Sequence, residues 1–257
     1  MLLERMRGGL YGFAVGDLLE WPADACGQSA ARMRQEPGGC AAPCAAPADA
    51  SLTLAAMDSL CGGFDMQDLV RRFSPGWQPG AHSALPRVLP LAFFLFPSAG
   101  TEVARSPCAM ERIHAVSALY VCIACGLLAG QGAEMAVRQG VLSAMRYYLE
   151  CEGGRFQREL RRWVEMADTQ TFAGRAPDGT DAFRTAVHCL LCTRTYPACV
   201  QSAARLGGRP AAAAAGSLAG IAYGEAGIPA QWRMCIPLRG EMDSLCAKMY
   251  AFCALYA

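Results

Sequence analysis

Four groups of side chains are of types that could support chemistry. Cys122 and Cys125, and again Cys189 and Cys192, are two residues apart, as in zinc and redox motifs. The residues between each pair are apolar (Ile-Ala and Leu-Leu), in apolar stretches, so the four read as core thiols of a buried helix face. His82, His114 and His188 are too scattered to make a ligand cluster. His114 and His188 read as packed or partly exposed helix residues. Ser51 and Thr53 have no identifiable neighbouring base, and Asp58 and Glu20 read as lone surface acids. Arg209, between Gly207-Gly208 and Pro210, has two readings. It is a surface arginine at a helix start with Pro210 as first helical residue, or a guanidinium that grips a phosphate or carboxylate on two bonds.

The elements that must position these groups are helical. Apolar residues recur at helical spacing nearly throughout, and no strand is expected. Helices are expected near Leu2–Leu19, Ser51–Leu60, Met66–Phe73, Leu85–Phe96, Met110–Leu128, Ala133–Glu150, Arg155–Met166, Asp181–Cys192, Pro197–Leu206, Ala211–Tyr223 and Met242–Leu255. Gly and Pro clusters separate them, and Asp65 and Asp181 are placed to cap the helices that follow. Residues 22–50, rich in Ala, Pro, Gly and Cys, read as a long loop. The expectation is an all-α single domain over residues 1–257.

Composition narrows the function. Of 257 residues, 53% are hydrophobic and 18% charged, enough apolar material for a sizeable core. The net charge of +1 offers no electrostatic footprint for nucleic acid or an anionic membrane. Ala115 to Ala133 carries no charge and nearly matches a membrane span, but without aromatic belt or basic flank it reads as a buried central helix. Fourteen cysteines, mostly in apolar helical stretches with no signal peptide ahead of them, point to a reducing cytoplasm.

Several segments, in order along nearly the whole chain, resemble the ADP-ribosylglycohydrolase family. Gly8-Gly9-Leu10-Tyr11-Gly12-Phe13-Ala14-Val15-Gly16-Asp17 is similar to its opening helix, which ends in G-D-A-L-G. Pro22-Ala23-Asp24 lies in the place of P-x-E, and Pro47-Ala48-Asp49-Ala50 in that of T-D-D-T. Ala81-His82-Ser83-Ala84-Leu85-Pro86-Arg87 resembles G-N-G-A-x-M-R, and Leu206-Gly207-Gly208 begins L-G-G-D-x-D-T. The resemblance implies an all-α hydrolase that removes ADP-ribose from proteins with paired magnesium ions. It also implies that most metal carboxylates are replaced here by Ala, Pro and Arg, whereas hard cations need several oxygen ligands. Asp24 and Asp49 are left as vestiges of the catalytic and metal positions, with His82, Arg87, Gly207, Gly208 and Arg209 as candidate ligand-binding residues. Magnesium is implied only if the residual site works. Two functions follow as expectations: a pseudoenzyme that binds an ADP-ribose-like ligand or a protein partner through the old cleft, or a glycoside hydrolase with a metal-poor site using Asp24, Asp49 and Glu111.

Overall fold

Helices packed on helices account for almost all of the structure. The computed structural model describes residues 1–20, 32–33, 48–63, 65–73, 84–96, 115–151, 157–174 and 181–256. In chain order these form α1 (Leu2–Leu18), β1 (Leu19–Glu20), β2 (Arg32–Met33), α2 (Ala48–Cys61), α3 (Met66–Phe73), α4 (Ala84–Arg87) and α5 (Leu89–Leu95). There follow α6 (Ala115–Leu128), α7 (Ala133–Cys151), α8 (Gln157–Ala167), α9 (Thr169–Ala173), α10 (Ala182–Cys192) and α11 (Tyr196–Tyr223). A 3₁₀ turn (Glu225–Gly227), α12 (Ala230–Met234) and α13 (Arg239–Tyr256) complete the order. The chain is all-α apart from one two-residue antiparallel pairing, Leu19 with Met33 and Glu20 with Arg32, which corrects the expectation of no strand. It ends α1 at Leu18 and gives the expected 22–50 loop a short paired segment.

The centre of the fold is the packing of α1 against the second half of α11. Gly8, Gly12 and Gly16 recur every four residues and so share one face of α1. They meet Gly220, Gly216 and Ala212 of α11, with a methyl group at any of the three colliding with backbone of the partner helix. The missing side chains let the two backbones touch. Around this pair lie Met6, Leu10, Tyr11, Phe93, Leu119, Tyr120 and Ile123, all fully buried. Tyr120 Oη and Ser217 Oγ share a 2.6 Å hydrogen bond inside that core, and Tyr196 Oη donates to Gly12 O at 2.9 Å.

α11 is not straight. Gly208 takes φ 67° and ψ −164°, a backbone region open to glycine, and the helix folds back there. A straight helix of its length would hold its ends about 40 Å apart. Instead Tyr223 Oη donates to Thr193 O, beside the other end, at 3.1 Å. The expected pair of helices, 197–206 and 211–223, is thus present as the two arms of α11, meeting at the glycine. Asp181 and Asp65 cap as expected: Arg184 N donates to Asp181 Oδ1 at 3.0 Å, and Gln67 N to Asp65 Oδ1 at 2.8 Å. α6 is buried along nearly all its length, and among the described residues no helix is long and apolar enough to cross a membrane.

Candidate functional site

The end of α1, the start of α2 and the bend of α11 converge. Phe13, Ala50 and Ala213 form a small buried cluster of their own. Phe13 is one turn before Asp17, Ala50 directly follows Asp49, and Ala213 is one turn after Arg209. The short helix α4, which ends at Arg87, packs against both α2 and α11. Four segments that the sequence singled out are therefore brought to one end of the α1–α11 pair.

At that end Arg209 grips Asp17 by a two-pronged fork. Arg209 Nε donates to Asp17 Oδ1 at 2.7 Å, and its Nη2 donates to Oδ2 at 2.9 Å. The Asp17 side chain is 0% exposed and that of Arg209 45%. A buried carboxylate without donors is costly, and a planar guanidinium satisfies both of its oxygens at once. The bend makes the reach possible. Gly207 packs against Thr185 and Ala211 with no room for a Cβ, Gly208 turns the chain, and Arg209 follows just before Pro210.

The other expected residues are placed as follows. Asp49 lies in the first turn of α2. Arg87 closes α4 and is half-buried. Asp24, His82 and Glu111 lie outside the described residues. Asp17 is the site residue that sequence reasoning passed over. The signal for it was an acid at the end of an otherwise uncharged glycine-rich run, Gly8 to Gly16, where a charge needs a partner.

The residues at the bend do not fit a divalent ion. The one carboxylate described there is occupied by a fixed cation, which would repel a metal. Ala211 to Ala215 supply no side-chain oxygen. Among the described residues no group of three or more His, Cys, Asp or Glu could hold a metal.

The cysteine pairs divide. Cys122, Cys125 and Cys189 are buried, and burial pushes the Cys122 thiol up to about 12 and that of Cys189 to about 11. Such thiols stay protonated and unreactive. Cys192 is exposed, which corrects its reading as a core thiol, because the face it occupies at the end of α10 points outward. Its Sγ lies 3.6 Å from His188 Nε2.

Comparison with known proteins agrees with this architecture. Residues 74–255, well over half of the chain, match the ADP-ribosylglycohydrolase family. This chain belongs to that family. A solved structure described as an ADP-ribosylglycohydrolase-related protein complex is similar over 97% of this chain and 98% of its own, with a TM-score of 0.58 and 20% identity. At that identity the likeness concerns the fold. No curated protein matches this ADP-ribosylglycohydrolase-family chain in sequence. The family match begins at residue 74, so Asp17, Asp24 and Asp49 lie ahead of it, while Arg87 and the Gly207-Gly208-Arg209 bend lie within it.

Proposed function

We propose that this chain is a catalytically impaired member of the ADP-ribosylglycohydrolase family that binds an ADP-ribose-like ligand through the old active-site cleft. The observation that carries the reading is the Arg209–Asp17 fork at the paired glycines, where the family's sequence pattern calls for metal carboxylates. The guanidinium there is paired with the Asp17 carboxylate and takes the place of a metal-binding acid. Such a pair cannot polarise water as a metal does. A protein partner carrying ADP-ribose would use the same cleft. Buried unpaired thiols such as Cys122 and Cys199 support a reducing, cytoplasmic setting.

The test is release of ADP-ribose. The protein is incubated with a mono-ADP-ribosylated protein, with and without magnesium, and free ADP-ribose is measured. The expected result is no release above buffer in either condition. Magnesium-dependent turnover would overturn the reading, and magnesium-independent turnover would replace it with a metal-poor hydrolase.

A further inference from the structure

A cavity of about 550 Å³ opens beside the two ends of α11, away from its bend. It is lined by the turn into α7 and that helix's first residues, by the end of α10 with Thr193 and Arg194, and by the last residues of α11. About 14 residues of helix separate Arg209 from Tyr223, so this cavity lies roughly 20 Å from the fork. Its volume is within the range of small-molecule sites.

Three positive features face it together. Arg138 and Arg194 both line it, and both are exposed. Neither guanidinium is in a hydrogen bond or ion pair among the described residues, in contrast to Arg72, Arg184, Arg209 and Arg233, which all hold carboxylates. The third feature is the start of the 19-residue helix α7: Ala133, Glu134 and Met135 form its first turn and line the wall. First-turn amides have no acceptor within their own helix and carry the positive end of its dipole. Glu134 is the one acid on the wall, so the balance of charged side chains there is positive.

Part of the remaining wall is apolar. Leu190, Leu191 and Met135 line it, with Met135 left 47% exposed. The frame is rigid. Tyr223 is tied to Thr193 O, Thr193 Oγ1 donates to Cys189 O at 2.7 Å, and Arg5 donates to Leu127 O behind the α6–α7 turn. Cations and apolar side chains lining one cavity match an amphipathic anion.

We propose that this cavity is a binding site for a small organic anion, with a phosphate or carboxylate group between Arg138, Arg194 and the start of α7, and an apolar or aromatic body against Leu191 and Met135. The site is separate from the cleft and does not depend on the function proposed above.

The full chain, labelled with ¹⁵N, is titrated with phenyl phosphate, benzoate and neutral phenol. Amide shifts report where each binds. Phenyl phosphate or benzoate should give saturable shifts confined to the amides around 131–138 and 190–194, and phenol should give none. Arg138→Gln and Arg194→Gln should each weaken binding by about 3- to 10-fold. Glu134→Gln should tighten it about 2-fold. All three substituted wall positions are exposed, so amide spectra of these variants should otherwise match the parent. The inference is overturned if neither anion saturates, if phenol binds as tightly as they do, or if the two arginine variants bind as the parent does.

Discussion

Asp17 and Arg209 stand 192 positions apart and pair at the site end of the molecule. Replacing Arg209 by Ala leaves the Asp17 carboxylate buried with both oxygens stripped of donors. The loss is expected at about 2–3 kcal/mol, below the full value for a buried pair because the arginine is half exposed. Arg209→Lys should recover less than half of that, since an ammonium offers a point charge and not a fork. Urea denaturation of the three proteins measures both values, and an Arg209→Ala protein as stable as the parent would mean the fork contributes nothing. At this scale the sequence was half legible. Gly207-Gly208-Arg209 marked itself by its breakers and its charge, and two readings of Arg209 were open. A bidentate pair is a tertiary fact, however, and no local pattern at residue 209 points to residue 17. Cys192 shows the same limit: the apolar spacing that correctly buried Cys189 carries no information about where the packed face of α10 ends.

At the scale of the elements, most helices were readable because amphipathic or wholly apolar periods and Gly/Pro breakers are local properties. Asp65 and Asp181 were readable as caps for the same reason. The short helices α9 and α12 were not, since five residues show little period. Nor was the fold-back of α11 at Gly208, because a break in periodicity says that a helix stops and not where the chain goes next. The spacing of Gly8, Gly12 and Gly16 was written in the sequence but has meaning only against Gly220, Gly216 and Ala212. It yields a prediction of opposite signs. Gly12→Ala puts a methyl into the backbone carbonyl of Gly216 and should cost at least about 3 kcal/mol or prevent folding. Gly240→Ala lies in α13 with open space around its Cβ and should be neutral or stabilise by up to about 1 kcal/mol. Thermal unfolding of both variants checks this, and equal effects from the two would contradict the packing described for α1 and α11.

For the molecule as a whole, the family was legible in short motifs spread along the chain, and the all-α architecture and the family match over residues 74–255 agree with that reading. The fold rests on the packing of α1 against α11 with α6 beside them. At the site end a guanidinium paired with Asp17 stands where the family pattern calls for carboxylates. The most direct measurement is a calorimetric titration of the purified protein with ADP-ribose, with and without magnesium. The account predicts binding of equal affinity in both conditions, weakened by Arg209→Ala. Binding that requires magnesium would contradict it, and so would the absence of binding in both.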